Sequence, residues 1–146
     1  MILRRLLYGG ILLLIFTISG DVLFFESLYI IGLDHLGEPV PSLYLNFLFI
    51  YLYIALYGGF LIIIGYYSFK KDFDTMGRFL TLLGIILGTA SWIFFIITAI
   101  IDLILIGIFI VFLLILFLMN IIIGLLGIIL SITSYKKLIK LTQNPS

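Results

Sequence analysis

From Phe79 to Ser134 the chain carries one ionisable side chain, Asp102. A bilayer core of about 30 Å is crossed by roughly 20 apolar helical residues. The stretch is therefore too long for one crossing and suits two, hinged near Asp102 and Gly107. The rest of the chain is of the same kind: 64% of its 146 residues are hydrophobic and only 10% charged. Soluble domains run nearer half apolar and a quarter charged, and disordered chains are more polar still, so both classes are excluded. A soluble core of this size would also lack polar sequence to cover its own surface.

The spacing predicts four transmembrane helices over about 6–25, 43–67, 79–101 and 108–134. Between them fall an outer loop over 26–42, broken by Gly37, Pro39 and Pro41, and a cytoplasmic loop over 68–78, with a tail over 135–146. The charges divide along the same lines. Arg4, Arg5, Lys70, Lys71, Arg78, Lys136, Lys137 and Lys140 all fall on one side, and they are every base in the chain except His35. Asp21, Glu26, Asp34, Glu38 and Asp102 fall toward the other, leaving Asp72 and Asp74 with the bases. The positive-inside rule then puts both termini in the cytoplasm. Three or five spans would split the bases between two faces. Arg4-Arg5 before an apolar run and Thr17-Ile18-Ser19-Gly20 also resembles a cleavable signal, but the apolar character continues through Val22-Leu23-Phe24-Phe25. The twin arginine is read as a topology anchor.

In hydrocarbon, Leu against Leu gains little over Leu against lipid, so helices associate through small residues and interhelical hydrogen bonds. The third span offers Thr81, Gly84, Gly88, Ser91, Phe95, Thr98 and Asp102 at alternating spacings of 3 and 4. That is the 3.5-residue seam of a left-handed bundle crossing at about +20°. The fourth offers Asn120, Gly124, Gly127, Ser131 and Ser134; the second Tyr51, Ala55, Gly58, Ile62 and Gly65; the first Gly10, Leu13, Thr17 and Gly20. These faces are expected to form the interior or to meet a partner. Tyr44, Tyr66, Tyr67 and Tyr135 lie near the predicted interfaces, where amphipathic rings anchor. Tyr53 and Tyr57 lie mid-span on one face, and their hydroxyls are expected to seek Thr17, Ser91 or Asn120.

Chemistry-bearing groups are few. The chain has no cysteine and one histidine, His35, which removes thiolate chemistry and a bis-histidine haem within one chain. No phosphate loop, HExxH, GxSxG or dinucleotide fingerprint occurs. Asp21 lies about 23 Å along the first helix from its basic end, in the outer third; Glu26 and Asp102 lie at the outer boundary. A cation-coupled antiporter or rotary-ring proteolipid needs a carboxylate deeper than these, so both classes are disfavoured. Asp34, His35 and Glu38 are read as a polar hairpin rather than a metal or acid/base site.

The sequence thus predicts a single-domain, all-α integral membrane protein, residues 1–146: a four-transmembrane-helix antiparallel bundle in the plasma membrane, with no catalytic or metal-ligating residue and no cofactor. Its expected role is non-catalytic and exercised through packing, as an accessory, scaffold or assembly subunit or a homo-oligomer. The alternative is a small channel or transporter with an acidic mouth (Asp21, Glu26, Asp102) and a path along Thr17, Tyr53, Tyr57, Ser91 and Asn120. Expected partners are membrane lipids, anionic ones at the basic face, and other membrane subunits or copies of itself. A net charge of +1 gives no reason to expect nucleic acid.

Overall fold

The computed structural model describes residues 1–31, 57–106 and 111–143, with side chains described over 1–19, 57–97 and 118–143 and at Ile100, Ile115 and Leu116. These residues form α1 (Ile2–Ile31), α2 (57–70), α3 (Asp74–Ile106) and α4 (Val111–Gln143), with no strand among them. Three helices are long and apolar enough to cross a membrane, over Ile2–Ser19, Asp74–Ile97 and Leu118–Gln143. The expected outer loop beyond Ile31 and the second span as far as residue 56 lie outside the described residues. So does the segment 107–110, where the hinge is expected.

The helices run further than the apolar spans. α1 carries on through the first residues of the expected outer loop, because no Gly or Pro interrupts it between Asp21 and Ile31. α4 continues through the expected tail to Gln143, because Ser134, Leu138 and Thr142 extend its inner face at a spacing of 4. Leu138 and Ser134 are buried. At 1.5 Å per residue the 33 residues of α3 or α4 span about 50 Å, well beyond the apolar thickness of a bilayer.

The expected 68–78 loop contracts to a tight turn over 71–73. Phe73 N–H donates to Ser68 O (3.0 Å) and Asp72 N–H to Phe69 O (3.2 Å). This is the Schellman pattern, and it puts Asp72 in the left-handed region at φ 62°. Asp tolerates that conformation better than most side chains. Gly77 N–H then donates to Phe73 O (2.9 Å), opening α3 with Asp74 in its first turn, where a carboxylate suits the helix dipole.

Glycine doublets decide which helix meets which. Consecutive residues on a helix point about 100° apart, so a doublet opens two faces at once. A methyl built on Gly9 would strike Ser131 and Gly127 of α4; one on Gly10 would lie 2.9 Å from Ile63 of α2. One on Gly59 would lie 2.8 Å from Gly10 O of α1, and one on Gly58 would lie 2.7 Å from Gly88 N of α3. Trp92 closes the ring by donating from Nε1 to Ile121 O of α4 (2.9 Å). The order is α1–α2–α3–α4–α1. Pairings Gly9–Ser131, Leu13–Gly127 and Gly124–Phe16 show α1 and α4 running in opposite directions, and Gly58–Gly88 with Gly65–Thr81 show the same for α2 and α3. The register also gathers the basic residues at one end. Arg4 and Arg5 precede Gly9, Lys136 follows Ser131, Lys70 follows Gly65, and Arg78 Nη2 donates to Thr142 Oγ1.

Candidate functional site

Among the described side chains, the space between the helices is filled. Leu13, fully buried on α1, projects between Gly88 of α3 and Gly127 of α4; methyls built on those glycines would lie 3.0 Å from its Cδ1 and Cγ respectively. One turn on, Phe16 occupies the space that Gly124 leaves and meets Phe95 edge-on, with ring centroids 5.3 Å apart at 81°. Such a pair contributes about 0.5–1.5 kcal/mol beyond its area. Glycine thins the wall and a large α1 side chain occupies the recess. This is how close backbone approach and a dense core coexist in hydrocarbon.

Polar groups ring this core, and most of them bond to the backbone. Asn120 is buried; its Nδ2 donates to Phe16 O (3.3 Å) and its Oδ1 accepts from Ser19 Oγ. Thr17 Oγ1 donates to Leu13 O (2.8 Å), Ser91 Oγ to Gly88 O (3.3 Å) and Ser131 Oγ to Gly127 O (2.8 Å), each within its own helix. Thr81 Oγ1 is buried without a hydrogen-bond partner among the described residues, and packs where a methyl on Gly65 would sit. A Cα–H···O contact, worth about 0.5–1 kcal/mol, is the interaction open to it there. Replacing Asn120 by Leu should cost only about 1 kcal/mol, two interhelical hydrogen bonds at the membrane-protein average of about 0.6 kcal/mol each, because Ser19 Oγ still reaches Ile15 O at 2.8 Å. Unfolding in mild detergent measures it, and a loss of several kcal/mol would show that Asn120 organises more than this pair.

The small-residue faces fall where the helices touch. Gly84, Gly88 and Ser91 of α3, Asn120, Gly124, Gly127 and Ser131 of α4, and Gly58 of α2 are all buried. The side chains of Thr98, Asp21, Glu26 and Asp102 lie outside the described ones, although their backbones are helical. Tyr53, Asp34, His35 and Glu38 lie outside the described residues altogether.

Tyr57, expected on the polar path, is 51% exposed. Gly58 and Gly59 occupy the faces turned to α3 and α1, so the residue preceding them points outward. Unforeseen contributors are Gly9, Gly59, Phe16, Trp92 and the Arg78–Thr142 pair. The Trp92 indole is a donor that must find an acceptor in hydrocarbon, a signal that was present in the sequence without saying which carbonyl would serve.

Among the described residues no group of three His, Cys, Asp or Glu side chains could hold a metal ion. In fold, then, the described residues are helical apart from one tight turn and the first residue, and three of the helices are able to span a membrane. No protein-family model, curated protein or solved structure matches it.

Proposed function

We propose that this chain is a non-catalytic integral membrane protein that acts through helix packing, as an accessory, scaffold or assembly subunit or as a homo-oligomer. Packing among the described side chains carries this reading: there, Leu13, Phe16 and Phe95 occupy the space between the helices that a conduction path would need. The glycines whose surroundings are described are all buried within the chain, so a partner would meet bulky Ile, Leu and Phe faces or the basic end. The proposed topology is four crossings of the plasma membrane in a left-handed antiparallel bundle, with both termini cytoplasmic. Its supports are the 3-and-4 spacing of the seams and the gathering of bases at one end.

Two measurements test the proposal. The chain has no cysteine, so single-cysteine variants Lys140→Cys and His35→Cys report sidedness directly. Only the second should react with a membrane-impermeant thiol reagent added from outside. Purified protein in liposomes should pass no ions, and its native-detergent mass should reveal co-purifying subunits or copies of itself. Ion flux abolished by Asp21→Asn would instead establish the channel or transporter alternative with its acidic outer mouth.

A further inference from the structure

We propose that the basic end of the fold is a docking surface for anionic phospholipid headgroups, with the α2–α3 turn seated at headgroup depth. This rests on the membrane reading above and adds a specific occupant.

Arg4, Arg5, Lys70, Lys71, Lys136, Lys137 and Lys140 are all exposed, and among the described residues no salt bridge pairs any of them with Asp72 or Asp74. Among the described side chains, eight bases gather at this end with only Asp72 and Asp74 beside them, an excess of positive charge that an anionic partner would balance. Beside those charges stand large exposed apolar side chains: Phe73 at 61%, Met76 and Phe79. In a Schellman turn the residue at the position of Phe73 commonly packs back on the helix it terminates. Here it stays exposed instead, within three residues of Lys70 and Lys71, an arrangement that would be costly in water. At a bilayer surface the same arrangement is favourable, with rings at the acyl boundary and ammonium groups among phosphates. Tyr8 and Tyr67, both exposed, lie about one turn further in on α1 and α2 and extend the aromatic band. Charge and depth together fit a lipid surface better than an acidic protein, which would leave Phe73 and Phe79 in water.

The test uses the full chain in vesicles of phosphatidylcholine alone and of phosphatidylcholine mixed with phosphatidylglycerol. Native mass spectrometry of the extracted protein should show phosphatidylglycerol retained in preference to phosphatidylcholine. The preference should fall as salt rises, and by about fivefold for each lysine neutralised in Lys70→Gln/Lys71→Gln and in Lys136→Gln/Lys137→Gln/Lys140→Gln. A polarity-sensitive fluorophore on Phe73→Cys should be quenched by brominated acyl chains and shielded from aqueous iodide. Equal retention of both lipids, or a label quenched by iodide alone, overturns the proposal. Flotation with pure phosphatidylcholine vesicles reads insertion separately. A chain that floats but shows no preference overturns only the docking surface, whereas one that fails to float overturns the membrane reading as well.

Discussion

Gly58→Ala should push α2 away from α3 and cost about 1–3 kcal/mol, the usual range for overpacking a filled site, with Gly58→Leu preventing the two helices from docking at all. The added methyl would lie 2.7 Å from Gly88 N and 2.9 Å from Gly88 Cα. Those atoms belong to a helical backbone and cannot rotate aside, so relief requires moving a helix. Gly88→Ala differs in kind. Its methyl meets only the end of the Leu13 side chain among its nearest neighbours, and that side chain can change rotamer. Ile86 is the control: it is 55% exposed on the outer side of α3, so Ile86→Leu should stay within about 0.5 kcal/mol. Thermal unfolding of the four variants in one detergent decides the matter. Equal effects from Gly58→Ala and Ile86→Leu would mean that the α2–α3 contact does not stabilise the protein.

The contrast between these positions shows what a sequence of this kind discloses. A membrane helix leaves almost no other reason for a small residue to recur at spacings of 3 and 4, so the face Thr81-Gly84-Gly88-Ser91-Phe95 can be read from spacing alone, and each of those residues is buried. Spacing names one face per helix, however, and a helix in a ring needs two. The second faces are marked by Gly9 beside Gly10 and by Gly59 beside Gly58, and reading each glycine into a single stripe overlooks its neighbour. The same geometry decides Tyr57, whose direction cannot be set until both neighbouring faces are known. Contacts between distant helices, such as Trp92 with Ile121 O and Arg78 with Thr142, depend on a register that no local pattern encodes. The ends of the helices are hard to read for another reason. Hydropathy marks where lipid stops, whereas backbone hydrogen bonding and the buried Leu138 carry α4 on through its lysines to Gln143.

Leu13→Ala should destabilise the core by about 2 kcal/mol, and Gly88→Ala should restore part of that loss although it is mildly harmful alone. In a soluble protein a buried Leu→Ala change costs about 2–5 kcal/mol, the sum of a transfer term and a cavity term. Between helices separated in lipid and helices packed together the transfer term largely cancels, so the lower end of that range applies. What remains is lost packing: Leu13 fills the recess between Gly88 and Gly127, and no other described side chain among the nearest atoms to Gly88 could replace it. Truncating Leu13 removes the Cγ, Cδ1 and Cδ2 atoms that crowd a methyl at position 88, at 3.8, 3.0 and 3.5 Å. The double variant therefore exchanges a clash for a partly refilled cavity, and the coupling between the two changes is favourable. A double-mutant cycle by thermal unfolding, run beside ion flux in liposomes, reads both consequences. Rescue with no flux supports a packed centre held by the Leu13 side chain. Strictly additive losses would place Leu13 and Gly88 in separate environments, and ion flux appearing in Leu13→Ala would show that the space it fills is a closed pore.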